Sequence, residues 1–348
     1  MKMDSWRVLT RTCLCAVAAA GLSYGQAAAD ETSDFYNGKR INLIIGYSTG
    51  GGYDQIARLF ARHVGRHIPG APQVLPQNMP GAGSRVAGNW LYNTAPKDGT
   101  AIATLGQNTA LDQALGEKNV QFDVRRFNWL GNVSEVNNVL TVWHAKGVKS
   151  FKEAKTLELS IGATGASSPS VIYPRASNII LGAKFRIVSG YPGSSEIMLA
   201  MERGEVDGRG SSSWVSWIST RPDWVRDQKI IPLFQVGSRP DPAIGNAPLW
   251  SDLAENESDR EVLTALSASI SIGYSMTAPP DVPQQRVVAL RRAFESTMRD
   301  PLFLAEANKH NILVRPVSGE EVQKIATQVA DLPLRIVDRV KAILATKP

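Results

Sequence analysis

Three features of this sequence predict a two-lobed α/β architecture. Strand and helix patterns alternate with short turns, and glycine-rich turns close the first strands. The length of 348 residues is also about twice that of a typical single domain. Apolar residues make up 43% and charged residues 20%, which suits a sizeable core and excludes a disordered, collagen-like or disulfide-framework chain. No apolar run reaches the roughly 18 residues that a membrane span needs. The net charge is +6 without a block of basic residues, so no nucleic-acid partner is expected.

The first elements read as an export signal. Lys2, Arg7 and Arg11 precede a short apolar stretch, Cys13 to Leu22, and Ala27-Ala28-Ala29 offers the small residues of a cleavage site. Residues 1–29 are therefore expected to be a signal peptide, removed on delivery to the periplasm. Both cysteines, Cys13 and Cys15, lie in that segment, so the remaining chain can form no disulfide, thiolate nucleophile or cysteine metal site.

Arg40 to Tyr47 reads as a buried strand that runs into Ser48-Thr49-Gly50-Gly51-Gly52. A helix follows with Ile56, Leu59, Phe60 and Val64 on one face. A short strand near Val74 leads to a second glycine turn, Pro80-Gly81-Ala82-Gly83, and a helix from Ser84. Pro96-Lys97-Asp98-Gly99 then turns the chain into a strand over Thr100 to Leu105. Val139 to Trp143, Glu158 to Ile161, Phe185 to Ser189, Val206 and Ile230 to Val236 read as further strands, with helices from about Ser170, Ser194 and Ser211 between them. From Pro283 the pattern is mainly helical, with one short strand near Leu313 and a capping-box-like start at Ser318-Gly319-Glu320-Glu321. Such alternation predicts mostly parallel sheets covered on both faces. The chain is expected to cross between lobes near Asn132–Asn138 and again near Gly237–Ala247. Lobe one would then hold 30–135 and 245–348, and lobe two 136–244.

Signals for catalysis are sparse. His63 and His67 share a helix face, but Val64 stands where a zinc-protease motif needs Glu, and the helix is basic. No G-x-S-x-G elbow or phosphate-loop lysine is present, and Gly81-Ala82-Gly83 begins a dinucleotide fingerprint that Val86 breaks. No cofactor or metal is expected. A secreted enzyme using Asp207 or Asp54 as base is the competing reading, and a sensor that docks on a signalling partner is a third.

The glycine loops are more informative. Ligands of open α/β sheets bind beyond the carboxyl ends of the strands, where helix-start amides attract anions. Two such loops stand in lobe one. Thr164-Gly165-Ala166-Ser167-Ser168 and Tyr191-Pro192-Gly193-Ser194-Ser195 repeat the design in lobe two. The candidate binding set is Tyr47, Ser48, Thr49, Gly50, Gly51, Gly81, Ala82, Gly83, Ser84, Thr164, Gly165, Ser167, Ser168, Tyr191 and Gly193. Asp54 joins it mainly to order the first loop, and Asp207 as acceptor for a ligand hydroxyl or amine or as a structural group. Arg85 reads either as partner to a second carboxylate or as an exposed arginine, and Trp214 and Trp217 read as core.

Ile44-Ile45-Gly46-Tyr47-Ser48-Thr49-Gly50-Gly51-Gly52-Tyr53-Asp54-Gln55-Ile56-Ala57-Arg58 resembles the first strand, loop and helix of the Bug/TctC family, the extracytoplasmic solute receptors of tripartite tricarboxylate transporters. Asn78-Met79-Pro80-Gly81-Ala82-Gly83 and Pro96-Lys97-Asp98-Gly99-Thr100 resemble its next two signatures, and Gly204-Glu205-Val206-Asp207 a looser one. The first loop departs from the usual P-F-A-P-G-G at Gly46 to Thr49, and Ser84-Arg85 replaces a common Gly-Asn. The resemblance implies a type II periplasmic-binding-protein fold, with a cleft between two lobes that closes on a small carboxylate held largely by backbone amides, hydroxyls and water. It also implies transporter membrane subunits as partners. We expect a monomer.

Overall fold

The computed structural model describes residues 31–135, 137–165, 168–237 and 239–345. The expected export segment and Ser167 lie outside them. Among the described residues the strands form two mixed sheets. The six-stranded sheet runs β11 (Val317–Ser318), β4 (Asn128–Asn132), β10 (Ser275–Ala278), β3 (Ala101–Thr104), β1 (Arg40–Ile45) and β2 (Gln73–Asn78). The five-stranded sheet runs β7 (Lys184–Val188), β6 (Glu158–Gly162), β8 (Gly208–Ser213), β5 (Asn138–Trp143) and β9 (Ile230–Val236).

β1 lies between β2 and β3, parallel to both, with Ile41 opposite Val74 and Leu43 opposite Ile102. Ile41, Leu43, Ile44 and Ile45 are all buried, as expected where helices cover both faces of a sheet. The Gly52–Val64 helix buries Ile56, Leu59, Phe60 and Val64 against this sheet, at the spacing that puts them on one face. Ser318 starts the Gly319–Ala330 helix by accepting a hydrogen bond from the Glu321 amide at 3.3 Å, the cap its sequence promised.

Strand direction departs from the mostly parallel expectation. β10 is antiparallel to β3 and β4, and β5 is antiparallel to β8 and β9. The reason is connectivity. A strand that the chain reaches from the other sheet closes no strand–helix–strand unit within its own sheet, so the connection that makes such pairs parallel does not act on it. The chain leaves the first sheet after Asn132, enters the second at Asn138, and leaves it after Val236 along the adjacent β9. The two crossings thus run side by side. Asn137 links them, donating from Nδ2 to Gln235 Oε1 and to the Arg239 carbonyl, both at 2.7 Å.

Two boundaries also differ. The strand expected at Val206 starts at Gly208, and the helix expected from Ser211 starts at Trp214. The Gly-Arg-Gly-Ser-Ser-Ser segment has low strand propensity, yet it is fully buried between β6 and β5, and tertiary pairing overrides propensity. The short strand expected near Leu313 forms at Val317–Ser318 instead.

Gly131 in β4 has a φ of +148°, and a Cβ there would stand 2.2 Å from the Phe294 ring. Gly131→Ala is expected to cost roughly 1–3 kcal/mol through strain and overpacking. A lower urea midpoint at unchanged slope would report it, and an unchanged midpoint would refute it.

Candidate functional site

The first glycine loop is shaped by one carboxylate. Asp54 is 3% exposed, and its Oδ2 accepts from the Gly50 amide at 2.9 Å. Its Oδ1 accepts from Asn78 Nδ2 at 2.9 Å and from Arg58 Nε at 2.8 Å. Asn78 ends β2 and also donates to the Tyr47 carbonyl at 2.9 Å, so the two glycine loops are tied together at their bases. Asp54 therefore orders the loop and does not face the cavity described below.

Loops of the two sheets meet directly. Ser48 Oγ donates to Glu196 Oε2 at 3.2 Å, and Ser195 Oγ donates to the Thr49 carbonyl at 3.3 Å. A Cβ on Gly51 would lie 3.1 Å from Ser194 Oγ, and one on Gly193 would lie 2.1 Å from Ser48 Oγ. A Cβ on Gly165 would lie 2.5 Å from the Gly83 amide nitrogen. Glycine is needed at these positions because the facing loops leave no room for a side chain.

A cavity of about 60 Å³ lies at this junction, room for a handful of water molecules. Tyr47, Ser48 and Gly51 of one sheet line it, with Thr164 and Ser168 of the other. Four helices begin at its wall: Trp214–Thr220, which Ser213 caps, and Gly52–Val64, Pro169–Leu181 and Ser194–Glu202, which no side chain caps. Their first amides and positive dipole ends favour an anion there. Tyr47, Tyr53 and Tyr274 make an aromatic wall, with ring centroids 4.6 and 4.7 Å apart. Burial pushes the Tyr274 hydroxyl up to about 12 and that of Tyr47 higher still, so both stay neutral donors. Gln107, whose backbone amide donates to the Tyr53 hydroxyl at 3.2 Å, continues this wall as a polar chain with Asn138 and Ser211: Asn138 Nδ2 donates to Gln107 Oε1 at 3.0 Å and to Ser211 Oγ at 2.9 Å.

Arg209 is the one charged residue in this lining. It is 7% exposed and stacks over the Trp217 ring at 5.4 Å. Its Nη2 donates to Ser194 Oγ at 2.6 Å, while Nε and Nη1 have no partner. Burial pushes its pKa down to about 10, which leaves it cationic at neutral pH.

The other expected residues fall elsewhere. Thr49 and Gly50 stand on the outer side of the first loop, where Thr49 Oγ1 donates to Asn78 Oδ1 at 3.3 Å. Gly81 and Ala82 are exposed, while Gly83 and Ser84 are buried, with Ser84 Oγ against Gly46. Tyr191 packs against the lobe-two cluster around Trp214, Trp217 and Trp224, which are buried as core. Asp207 lies away from the cavity. It accepts from the Ser160 amide and Oγ at 2.8 Å each and pairs with Lys146 at 2.6 Å. Burial alone would raise its carboxyl, but those bonds outweigh it and hold the carboxyl below the usual range. Arg85 is neither exposed nor free, because Nη1 pairs with Glu117 at 2.8 Å and Nε lies 3.9 Å from buried Asp112. A larger hollow of about 840 Å³ lies behind the crossings, but its acids are engaged, Asp241 with Arg315 and Glu135 with Ser271.

Sequence reasoning missed Arg209, Gln107, Asn138, Ser213, Ser216 and Tyr274. One signal for Arg209 was available, a lone charge between two glycines in a segment with no other charged residue.

No family model matches the chain. A UPF0065 protein encoded in the gbd 5′ region of Cupriavidus necator is 23% identical over 338 residues, covering 93% of this chain and 94% of that protein. The periplasmic binding protein BugD superposes with a TM-score of 0.69 at 16% identity, over 90% of this chain and 100% of BugD. Rpa4515 of R. palustris, solved with adipate, superposes at 0.68 and 17% identity, over 88% of this chain and 97% of its own. These likenesses establish the fold: two α/β lobes with the architecture of the Bug/TctC-type periplasmic binding proteins.

Proposed function

We propose that this chain, folded as the Bug and TctC binding proteins are, is a periplasmic receptor. It closes its two lobes on a small carboxylate and presents the closed form to the membrane subunits of a tripartite tricarboxylate transporter. The observation that carries this reading is the cavity at the lobe junction, where uncapped helix starts and a buried guanidinium converge on a space bounded by loops from both sheets. Adipate in Rpa4515 and the fold shared with BugD support it. In this reading residues 1–29 direct export. Residues 30–135 with 245–348 form one lobe, 136–244 the other, and the crossings at Asn137 and Gln235 are the hinge. The loop residues Ser48, Gly51, Thr164 and Ser168 supply hydroxyls and amides to the bound acid.

Thermal melts of the chain lacking residues 1–29, against a panel of mono-, di- and tricarboxylates, test the reading. A bound acid at 100 times its Kd adds about 2.7 kcal/mol and raises Tm by several degrees. Protein refolded to remove any copurified ligand, and unmoved by every small acid, would overturn it.

A further inference from the structure

The charge balance of the cavity narrows the ligand class. Arg209 is buried, and two of its three guanidinium nitrogens lack partners. No Asp or Glu lines the cavity with it. Ser194 and the Trp217 ring are its neutral contacts, and neither neutralises the charge. A desolvated cation without a counter-ion is unfavourable, and folded proteins resolve it by pairing.

The lining also limits how much negative charge the site takes. Two of the three uncapped helix starts at the wall already carry their own acid in the first turn, Asp54 in one and Glu196 in the other. That leaves Arg209 and the uncapped start of Pro169–Leu181 as uncompensated positive features. Among the described lining residues none is an acid that could receive an ammonium group, and Glu196 nearby is engaged by Ser48. The remaining polar lining is neutral: tyrosine hydroxyls, serines, Gln107 and Asn138. The space of about 60 Å³ fits an acid of a few carbon atoms.

Resting on the receptor reading, we propose that the ligand is a small monocarboxylate carrying uncharged polar groups, with its single carboxylate ion-paired to Arg209. Its body lies against the wall of Tyr47, Tyr53 and Tyr274, and its hydroxyl or keto oxygen meets the Ser211–Ser213 and Asn138 side. Arg209 stands on lobe two and Tyr47 and Tyr274 on lobe one, so one ligand touches both and ties them together. The pair adds a direct charge contact to a site that the family resemblance describes as built from amides, hydroxyls and water.

Calorimetric titration separates the outcomes. Lactate, pyruvate, glycerate and 3-hydroxybutyrate are compared with malonate, succinate, alanine and serine on wild type, Arg209→Gln and Arg209→Lys. The best monocarboxylate is expected to bind at least tenfold tighter than any diacid or amino acid. Arg209→Gln is expected to weaken it on the order of 100-fold, and Arg209→Lys less, as loss of a buried charge-assisted bond predicts. The neutral amide of the best acid, tested on wild type, should lose a similar factor, and this arm holds even if a variant fails to fold. Wild type that binds diacids tighter, or binds acid and amide alike, overturns the monocarboxylate pairing and leaves the receptor reading intact. So does Arg209→Gln with unchanged affinity. Wild type that binds no acid of any class overturns both.

Discussion

Gly165→Val is expected to lower carboxylate affinity at least 100-fold while leaving the unliganded protein about as stable as wild type. A Cβ on Gly165 would meet three backbone atoms of the facing loop: the Gly83 nitrogen at 2.5 Å, the Ala82 carbonyl carbon at 2.9 Å and the Gly83 Cα at 3.2 Å. Backbone cannot rotate away as a long side chain can, so the lobes must stand apart. A receptor held away from its closed form loses affinity in proportion to the fraction of closed form that remains. With the lobes apart, Gly165 would no longer meet the Gly83 backbone, and a substitution free of such contacts typically changes stability by less than about 0.5 kcal/mol. Gly165→Ala should give a smaller loss of the same kind. Calorimetry and small-angle scattering check both parts: wild type compacts on adding ligand, and the valine variant does not. A valine variant that binds and compacts like wild type would show that the Gly165–Gly83 approach is not needed for closure.

Asp112→Asn is expected to flatten the pH dependence of stability. Asp112 is fully buried beneath the second glycine loop. Its Oδ2 accepts from Asn108 Nδ2 at 3.0 Å, and its Oδ1 has no partner. Burial raises its pKa from 3.8 to about 8, with the Asn108 bond and Arg85 opposing only in part. Between those values the folded chain keeps a proton that the unfolded chain has released. Stability from this group is therefore full below about pH 4 and falls as pH rises to about 8, at up to about 1.4 kcal/mol per unit. Asparagine keeps the neutral shape and has no such proton to lose. Urea midpoints at pH 5, 6.5 and 8 should show the variant gaining on wild type at each step. A constant difference across the three would mean that Asp112 is ionised in the fold throughout.

Much of the fold was legible because its signals are local. The Ile41–Ile45 run, the helical spacing of Ile56, Leu59, Phe60 and Val64, and the Pro96–Gly99 turn each act within a few residues. The glycine loops were legible as turns at strand ends whose amides can receive an anion; that Gly51, Gly165 and Gly193 also let the opposite lobe come close was not. Within those loops the sequence could not separate residues that face the cavity, such as Ser48 and Ser168, from residues such as Ala82 that face solvent. That distinction depends on which way each loop turns against a partner far away in the chain.

Asp54 and Asp207 make the same point for charge. Asp54 read mainly as ordering the first loop and Asp207 as an acceptor or a structural group, and both are held by neighbours: Asp54 by Gly50, Asn78 and Arg58, Asp207 by Ser160 and Lys146. Arg209 is the converse, an arginine inside a poor strand former that becomes the unpaired charge at the centre of the lobe junction.

Hydrophobic period and turn chemistry determined by themselves the α/β class, the order of elements from β1 to β3 and the glycine loops, because each is set by residues within a turn or two of one another, whereas β4 (Asn128–Asn132), β10 (Ser275–Ala278) and the Glu257–Ser267 helix were not read. The antiparallel strands at the crossings, the cavity between the sheets, and the environments of Arg209 and Asp112 were decided only by tertiary structure. Burial and the lack of a counter-charge come from segments that meet only when both sheets have formed, and no local pattern encodes which atoms will be absent from a neighbourhood.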